Sequence, residues 1–179
     1  MSKAIDDLRN EHEAILSALG ILDAMAGRLG GKKPPTGEDL RGFIGFLKEF
    51  ADKCHHGKEE GILFPELVKA GIPDQGGPIG QMLAEHVEGR GFIKAMEAAI
   101  GNSVDGRAFA EAAGGYARLL RSHIAKENDV LFPLAERTLP APELDGIFER
   151  FEQHEETVIG HGRHEELHAL LKALSKRYA

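Results

Sequence analysis

The chain has 179 residues, 42% of them hydrophobic and 28% charged, with 22 basic against 29 acidic side chains. That is room for one domain with a full core, and the acidic balance argues against nucleic acid or an anionic membrane as a partner. The opening MSKAIDDLRNEHE is too charged for a secretory signal, no apolar run nears the roughly 20 residues of a membrane span, and the lone Cys54 excludes an intrachain disulfide framework. These features lead us to expect a cytoplasmic, reduced setting.

Glycine and proline cluster at 28–39, 70–78, 101–106 and 138–143, and the apolar spacing between the clusters is helical. The first segment lines up Ile5, Leu8, His12, Ile15, Leu19, Leu22 and Leu29. The second follows a Thr36-Gly-Glu-Asp start and lines up Leu40, Ile44, Leu47, Ala51, His55, Glu59 and Ile62. A second apolar edge on it, Phe43, Phe46 and Phe50, suits either the docking of a later helix or a subunit contact, so a homodimer is open. The third segment runs Ile79, Leu83, His86, Ile93 and Ile100, and the fourth Phe109, Ala112, Tyr116, Leu119, His123, Glu127, Val130 and Leu134. Pro65 and Pro133 each lack an N–H and crowd the carbonyl four residues back, which predicts that helices 2 and 4 bend or end after Phe64 and Phe132. A fifth segment follows Pro142 and is interrupted at Gly160-His161-Gly162. The expectation is an all-α, up-down-up-down four-helix bundle over 1–140, with an additional C-terminal, His-rich helical extension over 141–179 packed outside it.

The chemistry is written twice. HHGKEEGILFP begins at His55 and HIAKENDVLFP at His123; each follows a helix carrying Glu-His, at Glu11-His12 and Glu85-His86. Residues four apart share a helix face. His12, His55, Glu59, His86, His123 and Glu127 therefore lie in register with the apolar stripes and point inward. Six ionisable groups in an apolar interior are costly without compensation. A pair of cations removes the cost: Glu59 and Glu127, one from each half, can bridge two ions, with two histidines on each. Imidazole with carboxylate suits iron or manganese, and zinc less characteristically.

With these motifs, the sequence resembles the hemerythrin-like proteins, the group labelled HHE cation-binding domains. The resemblance rests on Glu11-His12-Glu13, HHGKEEGILFP, Glu85-His86 and HIAKENDVLFP, and covers roughly residues 1–140. It implies a non-haem di-iron centre bridged by two carboxylates, with His12, His55, Glu59, His86, His123 and Glu127 as ligands. The oxygen-carrying members have a further His where this chain has Arg90, and an Asp at +5 where it has Glu127 at +4. With fewer ligands, open positions favour reaction with dioxygen, peroxide or nitric oxide over reversible carriage; the alternative is iron storage, delivery or sensing without turnover. Ile62, Leu63, Val130 and Leu131 are expected to limit water.

His56 is a candidate to complete the set, but stands about 100° round an α-helix from His55. Glu13 and Glu60 read as surface acids or as partners that orient an imidazole, and Tyr116 as a core residue or a donor near the centre. In the tail, His164-Glu165-Glu166-Leu167-His168 matches HExxH, by which zinc peptidases place two ligands on one helix face. No His, Asp, Glu or Cys follows His168, so peptidase activity is not expected. The tail reads as a surface helix, on which replacing His154 should do little, or as a lid lending His161, His164 or His168 to the metal site.

Overall fold

A computed structural model describes residues 2–160 and 162–178. Helix α1 (Lys3–Arg28) is capped by the Ser2 hydroxyl, which accepts from the Ile5 N–H. Helix α2 (Gly37–Phe46) begins with Thr36 accepting from the Asp39 N–H at 3.0 Å. It runs without a break through π-helical segments π1 (Leu47–His56) and π2 (Glu59–Leu63) into α3 (Phe64–Lys69). Helix α4 (Gly77–Ala98) leads to α5 (Gly106–Lys126), capped by Asp105; α5 continues through π3 (Glu127–Leu131) into α6 (Phe132–Thr138). The described residues hold no sheet, only an isolated bridge between Ile100 and Val104. No helix among them is long and apolar enough to cross a membrane. The four long helical runs form the all-α bundle.

The prolines do not end their helices. The Phe64 N–H donates to the Glu59 carbonyl and the Phe132 N–H to the Glu127 carbonyl, five residues back rather than four. Widening the turn gives the proline ring room and absorbs its missing donor, so the helix continues. The same device occurs in both halves.

The last segment is two helices, α7 (Ala141–Val158) and α8 (Arg163–Tyr178), and the break falls where Gly160 and Gly162 take φ of 86° and 80°. Helix α8 lays Leu167, Leu171 and Leu174 on the edge made by Phe43, Phe46 and Phe50, so of the two roles open to that edge the structure shows helix docking. Asp39 accepts from Arg177 and Tyr178, tying the end of α8 to the start of α2.

The apolar core falls into two clusters. One runs from Ile15 to Met25 along α1 and includes Leu40 to Ala51, Ile93 to Ile100 and Phe109 to Ile124; the other gathers Ala4 to Leu8, Ile62 to Leu67, Ile79, Met82 and Leu131 to Leu139. Between them lies a buried polar layer made by the middle turns of the four bundle helices.

Candidate metal centre

All six residues singled out by the repeat meet in that layer. His12, His55, Glu59, His86, His123 and Glu127 are buried, and so is His56. Their donor atoms form two groups, each within 4.8 Å: His56, Glu59, His86 and His123; and His12, His55, Glu59 and Glu127. Glu59 belongs to both. The expected allotment of two imidazoles to each side becomes three and two, because His56 joins. It does so because π1 is wound more loosely than an α-helix, so consecutive side chains diverge by less. The His56 ring stacks on His86 with centroids 3.9 Å apart.

Each imidazole is held from behind. The Nδ1–H of His55 donates to Glu11 (2.9 Å), His123 to Glu85 (2.8 Å), His86 to Glu60 (2.7 Å), His12 to the Asn128 amide oxygen (3.0 Å) and His56, more loosely, to Asp52 (3.4 Å). With Nδ1 protonated and bound, Nε2 is the nitrogen that each ring presents to the interior. The pattern obeys the duplication. Each Glu-His helix gives its Glu to the histidine of the next helix, and its own His bonds the residue after the opposite glutamate. Lysines three after His55 and His123 complete it: Lys58 donates to Glu11 at 2.8 Å, and Lys126 to Glu85. Lys58 is fully buried and also reaches Asp7 (2.9 Å) and Glu155 of α7 (3.1 Å).

The inward-facing atoms have almost nothing to bind. His12, His55 and His56 Nε2 and both oxygens of Glu59 and Glu127 are buried without a hydrogen-bond partner. Buried polar atoms are rarely left so, each costing about 1–3 kcal/mol. Their spacing explains it. His86 and His123 Nε2 lie 3.1 Å apart, His12 Nε2 and Glu127 3.2 Å, His123 Nε2 and Glu127 3.3 Å, His86 Nε2 and Glu59 3.4 Å, and His55 Nε2 and Glu59 3.7 Å. Adjacent donors on one cation, bound at about 2.1 Å, stand roughly 3.0 Å apart at right angles and 3.4 Å at the tetrahedral angle. The donor set therefore fits a pair of cations sharing Glu59.

The electrostatics of the layer reflect the same crowding. Burial, then repulsion from Glu59, pushes the Glu127 carboxyl well above the usual range; burial pushes Glu59 the same way, but His55, His86 and His56 outweigh it and hold Glu59 ionised. Two carboxylates this close cannot both ionise without positive charge between them. Burial lowers His86, yet Glu59 and Glu60 prevail and raise it to about 9, while burial takes His123 to about 4. The facing Nε2 atoms of His86 and His123 are 3.1 Å apart, close enough for one proton to be shared between them.

The sequence model of the hemerythrin HHE cation binding domain matches residues 3–135. The chain belongs to this family. No curated protein and no solved structure matches it. In this hemerythrin-family chain, Arg90 does not point at the centre: it donates to Asp52 and Glu60, both at 2.8 Å, and so couples the acceptors behind His56 and His86. Glu13 is exposed, and Val130 faces solvent rather than shielding the site, whereas Ile62, Leu63 and Leu131 are buried beside it. Tyr116 is fully buried with an unpartnered hydroxyl, which burial pushes to a raised pKa. His164 and His168 lie outside both donor groups, and His161 lies outside the described residues. Sequence reading passed over Asp52, Lys58, Lys126 and Asn128. The two lysines were legible as the repeated HxxKE.

Proposed function

We propose that this chain is a non-haem di-iron protein that binds a small ligand of the dioxygen, peroxide or nitric oxide class, with His12, His55, His56, Glu59, His86, His123 and Glu127 holding the ions. The observation that carries it is the convergence of seven buried side chains whose inward nitrogens and oxygens lack hydrogen-bond partners, except the facing pair from His86 and His123. Imidazole and carboxylate donors without thiolate favour iron or manganese over soft-ligand metals. Bound iron supplies reversible one-electron chemistry and positions for exogenous ligands.

The residues of the chain set what happens there. Glu59 reaches both donor groups and fixes their separation. The His12/His55 side offers fewer nitrogens than the His56/His86/His123 side, so an incoming ligand has room on the former. Ile62, Leu63 and Leu131, with Phe132 stacked on His12 at 5.2 Å, exclude bulk water from that layer. The unshared thiol of Cys54, buried and pushed up to about 12 by that burial, suits the reducing cytoplasm proposed here.

The test is direct. The purified protein is reconstituted anaerobically with iron, its metal is counted, and visible spectra are recorded in reduced, aerobic and azide-treated states. Two irons per chain with azide charge-transfer bands support the reading. Two irons with no ligand-dependent band would leave storage or delivery, and no bound metal would refute both.

A further inference from the structure

The HExxH stretch of α8 takes no part in the buried centre, yet its histidines are placed with care. His164 and His168 sit one turn apart on one face, with ring centroids 4.6 Å apart. Both rings rest on Phe50, at 5.3 and 5.7 Å, which holds them against the bundle. Among the described residues neither ring makes a hydrogen bond. The nearest charged group is Glu155 on α7, whose Oε1 stands 4.0 Å from His164 Nε2 while its Oε2 accepts from Lys58. These three residues line a cleft of about 300 Å³ between α1, α7 and α8, together with Asp7 and Glu11 of α1 and Glu152 of α7. Three of these acids, Asp7, Glu11 and Glu155, bind one buried ammonium, Lys58. Arg163, the other cation on this stretch of α8, is turned away and bound to Glu49 and Glu166.

We propose that His164, His168 and Glu155 form a second, surface site for a borderline divalent cation of the zinc, cobalt or nickel type, separate from the buried centre. Two imidazoles at i and i+4 are the chelating half of helical zinc sites, and a carboxylate from a neighbouring helix is a common third donor. Glu155 Oε1, the oxygen not bound by Lys58, already stands 4.0 Å from His164 Nε2, and side-chain adjustment around an ion would bring the three donors together. Burial, reinforced by His164, lowers the His168 pKa, which leaves its lone pair free at neutral pH. The remaining positions on such a cation face the cleft, so the ion exchanges readily. This makes the site a capture point, in contrast to the enclosed centre. Its existence does not depend on which metal the centre holds.

The experiment titrates zinc chloride into the full chain, loaded with iron beforehand, at pH 7.5 by calorimetry. The expected result is one zinc equivalent beyond the resident iron. That equivalent weakens at least tenfold in His168→Ala and in the His164→Ala/His168→Ala pair, and severalfold in Glu155→Gln, with helical circular dichroism unchanged. Cobalt(II) supplies a reading that does not depend on the fold of a variant, because bound at this site it broadens the ring resonances of His164 and His168 in wild-type protein. No extra equivalent, an extra equivalent that survives the double substitution, or cobalt broadening elsewhere would overturn the proposal.

Discussion

Lys58 and Lys126 occupy equivalent places in the two halves, and the structure predicts that replacing them has unequal effects. The Lys58 side chain is 0% exposed and Lys126 is 37% exposed. Of the three carboxylates on Lys58, Glu11 is itself buried, and removing one partner of such a pair costs about 3–5 kcal/mol. Asp7 and Glu155 are partly solvated, so each adds at most about 1 kcal/mol. Methionine keeps most of the side-chain volume beside Phe151, over whose ring the Lys58 ammonium stands at 5.7 Å, so the packing loss is small. Lys58→Met in metal-free protein should therefore lose about 3–7 kcal/mol in urea unfolding and lower Tm by roughly 10 °C or more. Lys126→Met should lose about 1 kcal/mol, because water reaches that lysine and Glu85 keeps its bonds from Gln81 and His123. The pH dependence has a definite sign. Burial raises Glu11, but His55 and Lys58 outweigh it and hold its carboxyl below the usual value. That stabilisation is present above the ordinary carboxylate pKa and fades as pH falls through the lowered one, so the gap between wild type and Lys58→Met should hold from pH 6 to 8 and close below about 4. In loaded protein Glu11 keeps its bond from His55 but loses the lysine that fixes its other oxygen, and iron affinity should drop about 10-fold. Equal losses in the two lysine variants, or a gap that widens in acid, would refute the reasoning.

Arg90→Leu frees Asp52 and Glu60 behind His56 and His86, so iron affinity measured by competition with a chelator should fall about 10- to 100-fold. Arg90→Lys should recover part of this and shift the azide band, which a purely structural arginine would not. His56→Ala should leave the fold intact by circular dichroism but lower iron retention on gel filtration, whereas Ile124→Ala, at the equivalent place, should cost stability of about 2–5 kcal/mol. Cation binding must displace the proton held by His86 and any held by Glu127, so loading in weakly buffered solution should release acid, and apparent affinity should rise with pH between 6 and 8, about tenfold per unit for the His86 proton alone. Loading without proton release would contradict the protonation states assigned here. His154→Ala should cost about 1 kcal/mol in chemical unfolding, because His154 donates to the Lys53 carbonyl at 3.0 Å.

That last contact shows where the sequence stopped being readable. The His154 ring lies so flat on Gly57 that a Cβ there would stand 2.7 Å from its Nε2. In π1 the Gly57 N–H donates to Asp52 and Cys54, which leaves the Lys53 carbonyl without the partner an α-helix would give it. The histidine of α7 fills the vacancy. No periodicity could announce this, because it needs a π-turn in one helix and a side chain about a hundred residues away. The apolar stripes and the six inward donors were readable because they follow the 3.6-residue period, and the doubling of the motif supplied its own control. His56 was not readable, because its inward direction exists only where the helix leaves that period, upstream of Pro65.

The duplication also explains why the centre is uneven. Aligning His55 with His123, and His12 with His86, sets His56 against Ile124, Asp52 against Leu120, and Arg90 against Leu16. One half thus carries an imidazole, its acceptor and the cation that braces the acceptor; the other carries three aliphatic side chains in the same places, two of them fully buried in the core. A fifth histidine alone would have left a buried Nδ1–H without an acceptor, and an acceptor alone would have left a carboxylate half-buried beside Glu60. The three come together because each offsets the burial cost of the next. The same logic separates Glu60 from Asn128. The carboxylate behind His86 has Arg90 to neutralise it, whereas the position behind His12 carries a neutral amide. The His86 side is therefore richer in nitrogen donors, and the two positions of the proposed centre would differ in ligation before any ligand arrives.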